Sequence, residues 1–194
     1  MHPIERLRYV ARASGAEQGL LVRETAGALA SLGIEPAGLV TACRRIVDRH
    51  VTSGPLWWLC ARVLTAGDAV REAWRCADEI GEDSTGDELA HALPSYATVV
   101  VLGWPELAGD GGRHAGVPVW LIGGVGRVQA PPMWRALLKR FEDESGEPWE
   151  EDDELVPLDL VDRLCGPMGP EGVAEGLHRA DTPVAPELFR ATAF

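Results

Sequence analysis

The sequence predicts an α/β fold, in which an N-terminal helical bundle is followed by a reduced, Rossmann-like parallel sheet. Apolar residues recur at helical spacing through residues 1–92. Residues 97–104 and 117–124 are instead continuous apolar runs, which are typical of strands covered on both faces. A helix-like segment at 131–145 follows the second run, and strands that alternate with helices predict a small parallel unit.

Five helices are predicted before residue 93. Their apolar residues recur every three or four positions, and prolines or glycines lie near several of their ends. We therefore expect a helical domain at 1–92 and a small α/β domain at 93–194. The predicted helices are "PIERLRYVARAS" (3–14), "EQGLLVRETAGALASLG" (17–33), "EPAGLVTACRRIVDRH" (35–50), "PLWWLCARVL" (55–64) and "DAVREAWRCADEI" (68–80).

The fourth and fifth helices carry the clearest signals. Ser53 is a predicted N-cap with Pro55 in the first turn, and the fourth helix is apolar on nearly every side, which predicts a buried position. Trp57 and Trp58 point about 100° apart on a helix, so two arrangements stay open: one tryptophan in the core and one on a second surface, or, as we favour, both in the core. Asp68 is the predicted cap of the fifth helix. Its predicted inner stripe is Val70, Ala73, Trp74 and Ala77.

Less regular structure is predicted after residue 80. The acidic, small-residue stretch 81–88 breaks the helical pattern. Besides the two apolar runs, we expect a third short strand within 153–161 and a helix within 169–180. The stretch "PVAPELF" (183–189) predicts an extended tail that docks.

Charge and cysteine usage limit the classes of partner. The formal net charge of −12 disfavours nucleic acid and anionic membranes, because both need a basic face. No stretch reaches the ~18 apolar residues that a spanning helix needs, and the first residues lack the apolar run of a signal peptide. The four cysteines form no CxxC pair, so we expect reduced thiols in a cytoplasmic protein.

The most patterned stretch is "GVPVWLIGGVGRVQAPPMW" (116–134), where three glycines follow a predicted strand. Backbone amides in such a turn can hold a phosphate, and the arginine that follows adds a charge-assisted hydrogen bond. The spacing departs from the dinucleotide fingerprint, because Gln129 stands where a third glycine belongs. A phosphate site and a purely structural turn therefore both stay open. The candidate ligand-binding residues are Gly123, Gly124, Gly126, Arg127 and, at a strand end, Trp104.

Patterns of catalytic residues are absent from the sequence, and the catalytic residues stay unknown. The five histidines are isolated, with no HExxH motif. Asp159 and Asp162 lie three residues apart and could share a face, although a solvated turn or a helix start is the favoured interpretation. Nine acidic residues within 142–154 predict a solvated loop rather than a metal site. We expect no metal and no cofactor.

Two short stretches resemble a known family. Within "GRHAGVPVWLIGG" (112–124), the residues from His114 to Leu121 are similar to the text that introduces a late strand in the regulatory subunits of translation initiation factor 2B. The stretch "DTPVAPELF", from Asp181, resembles the C-terminal segment of the same family. Related members are isomerases of methylthioribose 1-phosphate or ribose 1,5-bisphosphate. The resemblance implies a helical domain, an α/β domain and a partner or a phosphorylated ligand.

The middle of the chain departs from this family. Residues 105–116 separate the two apolar runs, and the stretch from Trp104 to Gly112 is rich in glycine and supplies barely one helical turn, whereas a parallel crossover normally takes a dozen or more residues, usually as a helix. The strand-end cysteine motif and the aspartate segment of the family's isomerases are absent, so no catalytic residue is carried over. The chain also contains no asparagine, and Lys139 is its only lysine.

Three functional hypotheses follow. The first is an initiation factor 2B-like, non-catalytic protein that binds a partner or a phosphorylated metabolite. The alternative is a sugar-phosphate (aldose–ketose) isomerase, which would need a nucleophile or an acid–base pair. The third is a structural remnant without a ligand. Because a sheet of two or three strands leaves edges exposed, we also expect a homo-oligomer, specifically a dimer.

Overall fold

The computed structural model describes residues 17–32, 36–51, 53–96, 118–126, 158–178 and 182–189. The predicted helices at 3–14 and 131–145 and the apolar run 97–104 lie wholly outside these residues. In the described part, no helix combines the length and the apolarity that crossing a bilayer demands. The helices are α1 (Gln18–Leu32), α2 (Pro36–Arg49), α3 (Gly54–Thr65), α4 (Ala69–Gly81), α5 (Thr85–Ala92) and α6 (Val173–His178); the strands are β1 (Trp120–Ile122), β2 (Arg163–Gly166) and β3 (Gly169–Glu171).

The chain forms two compact units, which are not continuous along the sequence. One unit contains the described residues within Met1–Asp83, Val125–Val128 and Asp181–Phe194. The other contains those within Ser84–Gly124 and Gln129–Ala180. The first unit is helical and the second holds the sheet. The predicted domain limits of 1–92 and 93–194 stay a prediction.

Helix α3 forms the centre of the helical unit, as its apolar sequence predicts. Seven of its twelve residues are buried, and α1, α2 and α4 all pack against it. Burying one large aliphatic side chain stabilises a fold by roughly 1.5–3 kcal/mol, so this helix organises the core. Trp57 and Trp58 are both buried, which confirms the favoured interpretation that both pack in the core rather than one facing a second surface. The indole Nε1 of Trp57 donates to the carbonyl of Val51 at 2.8 Å.

Both predicted N-cap residues, Ser53 and Asp68, stand at the N-cap positions of their helices, but only Asp68 makes a capping hydrogen bond with its side chain. Asp68 caps α4, and its side chain accepts a hydrogen bond from the Arg71 amide at 3.0 Å. Ser53 stands at the N-cap position of α3, but its side chain makes no cap bond there. The Ser53 hydroxyl donates instead to Oε1 of Gln18. A tertiary contact has thus replaced the local cap.

The inner face of α4 differs from the predicted stripe. Ala73 and Ala77 are buried as expected, but Val70 and Trp74 are exposed. The third buried position is Cys76. The rotation of α4 about its axis therefore buries Cys76 instead of Trp74. Positions 73, 76 and 77 form a narrow face of small side chains that packs against the neighbouring helices.

The sheet unit contains a three-stranded sheet in the order β1-β2-β3. Strands β1 and β2 are parallel, with Trp120 opposite Arg163, as the α/β prediction requires. Strands β2 and β3 form an antiparallel hairpin, with Gly166 opposite Gly169. The described sheet is therefore mixed rather than wholly parallel. An α/β class describes it, whereas the Rossmann-like detail is not established.

The structure describes parts of two predicted elements in the C-terminal third. Of 153–161, residues 153–157 lie outside the described residues, Leu158–Leu160 form a 3₁₀ turn, and strand β2 begins at Arg163. Within 169–180, the predicted helix is present at Val173–His178, but Gly169–Glu171 form β3 ahead of it. Gly176 in that helix lies close to the sheet, because a Cβ there would stand 2.5 Å from Cδ1 of Leu164. A side chain at this position would force the Leu164 side chain to shift.

The C-terminal tail packs onto the helical unit, as predicted. Ala185 and Leu188 are buried, and Pro186–Phe189 forms a 3₁₀ turn. The Phe189 ring stacks on Trp57 with centroids 5.5 Å apart. Arg44 Nε donates to the Glu187 carbonyl at 2.6 Å. Apolar burial and a charge-assisted hydrogen bond together hold the tail in place.

Candidate functional site

The first two glycines of the predicted turn belong to the sheet unit. The Gly123 amide donates to the Cys165 carbonyl at 3.0 Å and so extends the β1–β2 pairing by one residue. Gly124 follows it and is half-buried. The Gly123 amide thus already has a backbone acceptor, which a phosphate oxygen would have to displace.

The next two residues of the turn belong to the helical unit. The Val125 amide donates to Oδ2 of Asp83 at 2.8 Å, so a carboxylate occupies a position that an anion site reserves for a ligand. Gly126 is buried with φ +83°, and a Cβ there would lie 2.9 Å from the Cα of Pro55. This glycine is explained by a left-handed backbone and close approach to α3.

The structure thus places three of the five candidate ligand-binding residues. Gly123, Gly124 and Gly126 lie in one turn, while Arg127 and Trp104 lie outside the described residues. Sequence reasoning missed Asp83 and Pro55 as the partners of this turn. The only signal in the sequence is the acidic stretch 81–88, which predicts a break in the helical pattern but no partner for the turn.

Three thiols lie in the core of the helical unit, on three different helices. Cys43, Cys60 and Cys76 are fully buried and free, and the Cys60 thiol donates to the Cys43 carbonyl at 3.9 Å. The hydrogen bond with the Cys43 side chain and burial together raise the pKa of Cys60 well above its ordinary value. Burial is the main reason that the pKa of Cys76 rises to about 12. Cys60 and Cys76 are therefore uncharged thiols at neutral pH.

The fourth thiol lies in the sheet unit, near the carboxyl end of β2. In parallel sheets this end commonly carries catalytic groups. Cys165 is nevertheless fully buried and free. Burial, followed by the negative charges of Glu88 and Glu171, raises its pKa above the ordinary value. Cys165 therefore lies where a catalytic thiol could stand, but its raised pKa favours the protonated thiol over the reactive thiolate.

A charged network joins α3 to α4. The Arg62 guanidinium donates to Glu72 at 2.6 Å and to both carboxylate oxygens of Glu79, and it lies 4.8 Å from the Trp58 ring centroid. Burial lowers the pKa of Arg62, but the hydrogen bonds to Glu79 and Glu72 outweigh it, so the pKa is raised. Arg62 is thus neutralised by two carboxylates and serves to hold the helices together rather than to bind an anion.

The two aspartates singled out in the sequence have different environments. Asp159 is exposed in the 3₁₀ turn. Oδ2 of Asp162 accepts from the Val119 amide at 2.7 Å, and the Asp162 amide donates to the Val119 carbonyl at 2.8 Å. Asp162 therefore fixes the register of β1 against β2, a structural role. Among the described residues, no group of three histidine, cysteine or acidic side chains is arranged to hold a metal ion.

Comparison of the chain with protein-family models, curated proteins and solved structures finds no match.

Proposed function

We propose that this protein is non-catalytic and acts by binding a macromolecular partner. The observation that carries the proposal is the state of the thiols. The sugar-phosphate isomerases that the sequence resembles use a strand-end cysteine, and all four cysteines here are buried. Three of them have raised pKa values, which removes the thiolate that such chemistry needs at neutral pH. Kinship with the initiation factor 2B family remains part of this proposal.

A phosphorylated metabolite is the second ligand class in this proposal. The geometry of the glycine turn favours the partner over the metabolite. The Val125 amide bonds to the Asp83 carboxylate, and Gly126 lies against Pro55. A phosphate at that amide would meet a negative charge where it needs a donor.

Further features support the wider proposal. Large aromatic side chains such as Trp74 and Tyr96 are exposed, and exposed aromatic residues are enriched at protein interfaces. Free thiols support a cytoplasmic location, and the net charge of −12 supports a partner other than nucleic acid.

The parallel β1–β2 pair supports a Rossmann-like layer, to which 97–104 would add a strand. We also propose self-association into a dimer.

The isomerase stays a second candidate because of one observation, the position of Cys165 near the end of a parallel strand. The test is an isomerase assay with methylthioribose 1-phosphate and ribose 1,5-bisphosphate, with product formation followed by NMR. We expect no turnover. Turnover that Cys165→Ser abolishes and that the matched buried variant Cys43→Ser retains would overturn the non-catalytic proposal.

The ligand class is tested by thermal shift. The folded protein is titrated with the same two sugar phosphates, with inorganic phosphate, and with ribose as the uncharged control. We expect Tm to stay unchanged, because only a ligand that prefers the folded state raises it. A saturable rise with the phosphates alone would assign the metabolite as the ligand, and Arg127→Ala would then show whether the glycine turn holds it.

A further inference from the structure

The outer face of α4 presents apolar surface to solvent. Trp74 is 47% exposed and Val70, one turn earlier, is 37% exposed, while Ala73, Cys76 and Ala77 pack inward. A tryptophan carries one of the largest apolar surfaces of any side chain, so leaving half of it in water forgoes stabilisation that a partner surface would supply.

Opposite charges flank this tryptophan along the same face. Arg71 stands three residues before Trp74 and Asp78 four residues after it, and both are exposed. Side chains at these spacings lie on one side of a helix. Within the described residues neither side chain has a salt bridge, whereas the adjacent Arg75 lies near both Glu72 and Glu79. Among the described residues, the face therefore carries a positive end without an ion-pair partner, an apolar centre, and a negative end that likewise lacks one.

We propose that this face of α4 is a homodimer interface, in which two copies pair antiparallel about a twofold axis near Trp74. Antiparallel pairing sets Arg71 of each copy against Asp78 of the other, so both charges are matched while the two tryptophans meet at the centre. Parallel pairing would set Arg71 against Arg71 and Asp78 against Asp78, which repulsion disfavours. The occupant that this charge pattern fits is a second copy of the same chain.

The inference deepens the proposed self-association and rests on it. The helix has 13 residues and is therefore about 20 Å long. One pair of such helices buries less than the ~800 Å² per partner of a standard interface. The dimer is consequently weak, and its population rises with protein concentration.

Sedimentation velocity over a hundredfold range of concentration tests the interface with the full chain. We expect Trp74→Glu to weaken dimerisation by about tenfold or more, since interface tryptophans dominate binding energy. The matched control is Met168→Glu, which changes an exposed large apolar residue outside α4 and leaves the dimer intact. Circular dichroism confirms that both variants keep their helices.

Charge reversal tests the orientation. Arg71→Glu and Asp78→Arg should each weaken the dimer, and the double variant should restore it. A wild-type monomer at every concentration overturns both the interface and self-association. A dimer that Trp74→Glu and the single charge reversals leave unchanged overturns the α4 interface while self-association stands. A double variant weaker than either single one overturns the antiparallel pairing.

Discussion

The Asp83 carboxylate accepts a hydrogen bond from the backbone amide of Val125, with 2.8 Å between Oδ2 and the amide nitrogen. Forty-two residues separate the two groups in sequence. The bond ties the glycine turn to the end of α4 within the helical unit. Because the bond gives the turn a structural role, its loss should lower the free energy of unfolding.

Replacing Asp83 by alanine removes the acceptor of the Val125 amide. We expect the free energy of unfolding to fall by about 1–2 kcal/mol, because the amide is partly buried and loses its partner. Asp83→Asn keeps an acceptor oxygen and should lose less. Urea denaturation measures both. The exposed neighbour variant Glu82→Ala is the control, and an equal loss in Glu82→Ala and Asp83→Ala would contradict a specific bond.

Gly126 should tolerate no side chain. Its φ of +83° costs an L-residue about 1–2 kcal/mol, and the Pro55 Cα at 2.9 Å from an added Cβ must also move. We expect Gly126→Ala to lower the unfolding free energy by about 2 kcal/mol or more. The contrast is Gly86→Ala in α5, where nothing lies within 4 Å and alanine should be neutral or stabilise by up to about 1 kcal/mol. Denaturant midpoints that rank the two variants the other way round would refute the close approach to Pro55.

The docked tail should contribute to the stability of the helical unit. Leu188 is 7% exposed, and truncating a buried leucine costs about 2–5 kcal/mol. We expect Leu188→Ala to lower the free energy of unfolding by an amount at the lower end of that range, since the tail can partly repack around the smaller side chain. Val184→Ala, at a position 78% exposed, should change the unfolding free energy by less than about 0.5 kcal/mol. Similar urea midpoints for the two variants would show that the tail is not held at Leu188.

Alkaline pH should destabilise the protein through its buried thiols. The pKa of Cys76 rises from 9.0 to about 12 on folding. Above pH 9 the unfolded chain therefore loses a proton that the folded chain keeps, and stability falls as pH rises toward 12. Cys76→Ala should make the Tm less dependent on pH over this window. A wild-type Tm that is flat from pH 9 upward, in the range where the fold survives, would contradict the raised pKa.

Helices α1 to α4 were predictable because their signals are local. The all-round apolar sequence of α3 predicts burial, and the side chain of Asp68 caps α4 through an amide three residues away. The orientation of α4 was not predictable. Trp74 has the more apolar side chain, yet Cys76 is buried, because the contacts with neighbouring helices and the pairing of Glu79 with Arg62 fix the rotation of α4.

The strands show the same limit. The apolar run 117–124 predicts β1. Strand β2 was not predicted, because it begins with the charged residue Arg163 and pairs with a strand more than forty residues earlier in the sequence. The apolar stretch before it, Leu158–Leu160, forms a turn, since Asp162 pairs with Val119 and starts the strand beyond it. Of the candidate site, the glycines were evident in the sequence, whereas their partners Asp83 and Pro55 were not.

By itself the sequence determined the positions of α1 to α4, the burial of α3, the strand at 120–122 and the acidic charge, because periodicity, capping and composition act over a few residues. It did not predict α5 (Thr85–Ala92), which begins within the stretch 81–88 that predicted a break. Only the tertiary structure decided which helix faces are covered, which strands pair and what the glycine turn contacts. Those outcomes depend on side chains and backbone groups that meet across long sequence separations, where burial and hydrogen bonding outweigh local preference.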